Sequence, residues 1–176
     1  MERSHSWSSA LHSKCSMGAT PSRVQIPPSP PKYLLSSDLK SDIIELEMDD
    51  TLFTRIIKGE VPAHKIYEDD LTLAFLDIFP IVRGHTLVIP KKQVENLWDL
   101  PDQDYQAVMA TVKKVAERLD RVLSPNKVGL KVMGTDVPHA HVHVIPFNDP
   151  EEFHIKVNHN QTDHSELERL ANELAF

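Results

Sequence analysis

The sequence predicts an α+β domain built on a largely antiparallel, five-stranded sheet. Stretches with strand character come in runs, three and then two, instead of alternating singly with helices. A long segment between the runs carries apolar residues at helical spacing. Glycine or proline marks the junctions, as at Gly59, Pro62, Pro125 and Gly134.

Residues 1–47 are rich in serine and proline, including Ile26-Pro27-Pro28-Ser29-Pro30-Pro31, and are expected to form a disordered tail. Arg3, Lys14, Arg23 and the serines share features of an organellar transit peptide, but the proline run and Glu2 argue for a plain flexible extension. The folded domain is placed at 48–176. Thr51 opens it, and Leu52, Phe53, Ile56 and Ile57 fit a short amphipathic helix that Gly59 stops. His64 to Tyr67 and Leu71 to Ile78 read as a hairpin around Glu68-Asp69-Asp70, and His85 to Ile89 as a third strand. Asp102 is expected to cap the long helix, whose core stripe runs through Tyr105, Val108, Met109, Val112, Val115, Ala116, Leu119 and Val122. Ser124-Pro125-Asn126 ends it. Val128 to Val132 and His139 to Ile145 give the last two strands, and Ser165 to Leu174 a closing helix that buries Leu167, Leu170 and Leu174.

The chain has 176 residues, 40% of them hydrophobic and 26% charged, enough for one ordinary core. No stretch approaches the roughly 20 apolar residues that span a bilayer, so a cytoplasmic protein is expected. A single cysteine, Cys15, excludes an internal disulfide and a thiolate metal cluster. The net charge is −7, and all of it lies in the folded part because five basic and five acidic residues cancel in positions 1–47. That charge disfavours nucleic acid and favours a small ligand in a local pocket.

The chemistry concentrates in His139-Ala140-His141-Val142-His143-Val144-Ile145. On a strand, His139, His141 and His143 share one face about 7 Å apart, while Ala140, Val142 and Val144 enter the core. Three imidazoles exposed together suit either phosphorus chemistry or a zinc site completed by ligands from elsewhere.

This segment resembles the signature of the histidine triad (HIT) family. Three further blocks are similar to its Hint-like branch: Phe53 to Pro62, Leu73 to Ile78, and Gly84 to Lys92. The resemblance implies the HIT-like fold, with a long helix and short terminal helices. It also implies a nucleotidyl hydrolase or transferase acting at the α-phosphate of nucleoside phosphoramidates or related conjugates. A dinucleoside polyphosphate hydrolase and a nucleotide-binding regulatory module are the alternatives. In such proteins the middle histidine, here His141, attacks phosphorus and carries the nucleotide. His143 would face phosphate oxygens, and His139 would belong to the hydrogen-bonding support of the nucleophile. Asp77 corresponds to the ribose-binding acid. Phe53, Phe75 and Ile78 match apolar positions that sandwich the base, although plain core is an equal reading. The implied partners are a purine nucleoside monophosphate moiety and a second copy of the chain in a homodimer.

The match has gaps. Some relatives hold structural zinc through two cysteines near the first helix, the histidine of the Gly-His block and the first triad histidine. The matching positions here are Thr51, Thr54, His85 and His139, so no metal and no cofactor are expected. Asp136 stands where a serine touches the phosphate or leaving group, and its carboxylate would repel phosphate unless turned away or protonated.

Overall fold

A computed structural model of the chain describes residues 49–154 and 163–176. The expected tail at 1–47 falls outside the described residues. Helix α1, Leu52–Ile57, starts where the Thr51 hydroxyl accepts the Thr54 N–H, and it stops where Gly59 turns to φ 78°. Strands β1, Lys65–Glu68, and β2, Thr72–Leu76, form the expected hairpin. Asp69 builds its turn by accepting the N–H groups of Leu71 and Thr72. Strand β3 is Thr86–Pro90. Every residue of β2 and β3 is buried, because both faces of the sheet are covered there.

Helix α2 spans Asp102–Leu123 and ends at Ser124 in the left-handed conformation. Asp102 is not its cap. Pro101 occupies that position without a side-chain hydrogen bond, and Asp102 with Asp104 instead places negative charge in the first turn, where the helix dipole favours it. Tyr105 leaves the predicted stripe and is 42% exposed, since the first turn overhangs the core. Strands β4, Lys127–Lys131, and β5, Val142–Phe147, are followed by helices α3, Pro150–His154, and α4, His164–Leu174. Helix α3 and a 3-10 turn at Leu97–Asp99 have no counterpart in the sequence reading.

The five strands are ordered β1-β2-β3-β5-β4 with antiparallel neighbours throughout. Helices α2 and α4 cover one face over a core that includes Leu76, Val88, Val115, Leu119, Val142 and Leu170. Helix α1 covers the other, packing Phe53 and Ile56 on Leu73, Phe75, Leu87 and Ile89. β5 begins three residues later than the alternation predicts. The backbone of the preceding segment bonds elsewhere, His139 N–H to the Val137 carbonyl and Ala140 N–H to that of Val94. Among the described residues no helix is long and apolar enough to cross a membrane.

Candidate active site

Alternation sends Ala140, Val142 and Val144 to the α2 side, as read from the sequence, and turns the three histidines toward α1. The imidazoles are not exposed together, however. His139 is 0% and His141 6% exposed, because the Phe53 ring of α1 stands edge-on over both, its centroid 5.8 Å from His139 and 5.2 Å from His141. His143 is half-buried, its ring centroid 4.9 Å from that of His141. Of the three, only His143 lies in regular strand.

Hydrogen bonds assign the protons on these rings. The Pro90 carbonyl can only accept, so His139 Nε2, 2.9 Å away, carries a hydrogen. Burial holds the pKa of His139 below the usual histidine range, so this ring is neutral and its Nδ1 has a lone pair facing the Thr51 hydroxyl at 3.0 Å. His141 Nδ1 lies 2.7 Å from the His139 carbonyl and donates to it. In the neutral ring that leaves Nε2 of His141 with the lone pair, as a nucleophile requires.

A fourth histidine completes the set. His85, 1% exposed, follows the β2–β3 connection and places Nε2 2.9 Å from His143 Nδ1. The Ile81 N–H points at His85 Nδ1 across 3.2 Å, so Nδ1 accepts and Nε2 carries the hydrogen. Nε2 then donates to His143 Nδ1, and the proton of His143 sits on its outer nitrogen, Nε2. Burial pushes the pKa of His85 down to about 4, with the positive charge of Lys131 adding to it. Burial likewise pushes His143 to about 4, helped by neighbouring His85 and His141 and opposed by Asp77. Both rings are neutral at pH 7. The sequence reading assigned His85 to a vanished metal set and missed its contact with His143; the odd-numbered alternation of His85 with Leu87 and Ile89 was the signal that it shares their face.

Asp77 directly follows β2, in step with Leu73 and Phe75 on this same face. Its Oδ1 accepts the Phe79 N–H at 2.9 Å, and its Oδ2 lies 3.3 Å from His85 Nδ1. Burial raises its pKa against that hydrogen bond and the nearby His143 and His141. Lys131, also missed by the sequence reading, pairs with His143 across β4 and β5, but its ammonium donates to the Phe153 carbonyl and lies 4.4 Å from the centroid of the Phe153 ring. The three apolar positions expected to sandwich a base do not form an open slot. Phe53 and Phe75 are core residues, 5% and 4% exposed and packed edge to face, whereas Ile78 is exposed. Asp136 is exposed too, and its carboxylate accepts the Thr135 hydroxyl at 3.2 Å.

The residues at the family's zinc position do not suit that ion. Thr51, Thr54 and His139 do meet under α1, but the fourth member is Gln93 and not His85. Two hydroxyls, an amide oxygen and one imidazole make a poor zinc set, and each of these donors is already spent on another. Elsewhere among the described residues, Asp77, His85 and His143 bring possible ligand atoms within 4.8 Å of one another. Their facing nitrogens are joined by a hydrogen bond instead of converging on one point.

An antiparallel sheet that presents three alternate imidazoles beneath a short helix defines the architecture of the histidine triad proteins. The chain belongs to this family: the HIT domain model matches residues 58–149. It is 43% identical over 106 residues to an uncharacterized HIT-like protein of Borreliella burgdorferi, covering 56% of this chain and 76% of that one. It is 36% identical over 128 residues to the adenosine 5'-monophosphoramidase HNT1 of Saccharomyces cerevisiae, covering 70% and 79%. The crystal structure of a Hit-like protein involved in cell-cycle regulation from Bartonella henselae superposes with a TM-score of 0.64 at 30% identity, covering 72% of this chain and 95% of that one.

Proposed function

We propose that the protein is a nucleotidyl hydrolase or transferase that cleaves nucleoside phosphoramidates at the α-phosphate through a nucleotidyl-histidine at His141. One observation carries this reading: the 2.7 Å bond from His141 Nδ1 to the His139 carbonyl, which presents the Nε2 lone pair to a substrate. In the first step His141 Nε2 bonds to phosphorus and the P–N bond to the leaving amine breaks, the amine taking a proton from solvent. Water then attacks phosphorus and loses a proton to solvent, the histidine–phosphorus bond breaks with its electron pair returning to Nε2, and a nucleoside monophosphate leaves. His143 Nε2–H donates to a non-bridging oxygen throughout, a role that suits a neutral ring with a fixed tautomer. Asp77 accepts from the ribose hydroxyls, and Ile78 beside it meets the base, with Phe53 and Phe75 supporting the floor from within the core. The similarity to the yeast phosphoramidase HNT1 supports the choice of a purine nucleoside phosphoramidate. A two-fold dimer belongs to the same reading, supported by the exposed Leu130 on the edge strand β4 and Val132 and Met133 just after it.

The test incubates wild type and His141→Gly with adenosine 5'-phosphoramidate, with rapid mass analysis at neutral pH. Wild type should release AMP and show an adenylyl adduct on the His141 peptide, and the variant neither. Equal turnover by the two proteins would overturn the mechanism.

A further inference from the structure

The hydrogen bonds beneath α1 have directions that follow from one another. Gln93 Oε1 accepts from the Thr54 hydroxyl and from the Thr51 N–H, while its Nε2 donates to the Asp49 carbonyl at 3.1 Å. The Thr54 hydroxyl hydrogen is thereby committed to Gln93. Thr51 Oγ1 accepts the Thr54 N–H at 3.1 Å, and its own hydrogen faces two acceptors at 3.0 Å, Thr54 Oγ1 and His139 Nδ1; it goes to the buried Nδ1 lone pair, which has no other donor once the Thr54 hydrogen is on Gln93. The far end of the His139 ring donates to Pro90 on β3. His139 is thus pinned at both ring nitrogens, between the start of α1 and the end of β3. Its carbonyl is the acceptor that holds His141 Nδ1–H. The Thr51–His139 bond is itself buried, Thr51 8% and His139 0% exposed, whereas Thr54 and Gln93 are half-buried.

We infer that Thr51, anchored by Gln93 and Thr54, is a positioning residue that sets the nucleophile's tautomer through His139. The inference rests on the reaction proposed above for His141. The hydroxyl of Thr51 does not touch substrate. It fixes the ring of His139, the fixed ring holds its own carbonyl in place, and that carbonyl keeps the proton of His141 on Nδ1 and the lone pair on Nε2. A hydroxyl–amide–imidazole cluster in this position does by hydrogen bonding what a tetrahedral ion could do by ligation, namely tie the first helix to the strand that carries the nucleophile. Gln93 orients both threonines and is the second positioning residue.

Imidazole 15N NMR on the full, histidine-labelled chain tests the arrangement in wild type, with no substitution needed. His139 should carry its proton on Nε2 and His141 on Nδ1. Thr51→Val keeps the branched shape and removes the hydroxyl. It should lower kcat for adenosine phosphoramidate by about ten- to a hundredfold with KM little changed, and give mixed His141 tautomers. Thr51→Ser should restore both the rate and the single tautomer. A wild-type His139 protonated at Nδ1 would overturn the network, as would Thr51→Val with unaltered kcat and unaltered His141 signals. Failure to trap a nucleotide on wild-type His141 overturns the reaction and leaves the tautomer result to judge the network by itself.

Discussion

Replacing Gly84 by alanine should damage the fold and the site together, because this glycine sets the entry of His85 into β3. Its φ is 90°, a conformation that side-chain-bearing residues rarely adopt. A Cβ there would lie 2.5 Å from Leu123 Cδ1 and 3.1 Å from Pro146 Cγ. The leucine tip can swing aside, but the proline ring on β5 cannot. Backbone strain costs about 1–2 kcal/mol, and crowding into a packed core about 1–3 kcal/mol more. Together they take about 2–5 kcal/mol from a total that for ordinary domains is about 5–15 kcal/mol. Gly59 is the control. It also has positive φ, 78°, yet nothing lies within 4 Å of its would-be Cβ, so Gly59→Ala should show the strain alone. Thermal unfolding should put the Tm of Gly84→Ala about 5 °C or more below that of Gly59→Ala. The next residue is His85, whose Nε2 sets the tautomer of His143, so turnover of Gly84→Ala measured well below its Tm should also fall. Equal Tm values for the two variants, with wild-type turnover in both, would refute the packing argument and the link from Gly84 to the site.

The buried histidines make the protein acid-sensitive before its carboxylates titrate. His85 and His143 are held at about 4 in the fold against 6.5 in the unfolded chain, so between those values the unfolded state binds protons that the folded state refuses. Stability should be complete above pH 6.5 and decline as pH falls toward 4, by about 3 kcal/mol for one such imidazole. Urea midpoints from pH 7.5 to 4 measure this, and His85→Gln should flatten the curve; a midpoint independent of pH in wild type counts against the assignment. Asp77→Asn should raise KM for adenosine phosphoramidate about tenfold, in keeping with a lost charge-assisted hydrogen bond, and should shrink the penalty that wild type pays for a 2'-deoxyribose substrate. An undiminished penalty in the variant would remove Asp77 from the ribose.

The elements of the fold were legible because their signals are local. The helical stripe of α2, the hairpin around Asp69 and the glycine stops all lie within a few residues of what they specify. The ends were less so: β5 begins at Val142 because the His139 and Ala140 amides bond to Val137 and Val94, and neither partner is marked in the segment itself.

The sequence by itself determined the fold class, the alternation that puts His139, His141 and His143 on the face opposite Ala140, Val142 and Val144, and the missing cysteines at Thr51 and Thr54. Period-two geometry and side-chain chemistry are properties of neighbours along the chain, so no third dimension was needed for these. Only the tertiary structure decided that His139 and His141 are buried beneath Phe53, that His85 belongs with His143, and that Gln93 joins Thr51 and Thr54 under α1. Residues up to 88 positions apart meet in those contacts. Their partners, and with them the positions of the ring protons, are set by how the sheet and helix pack, which no spacing along the chain encodes.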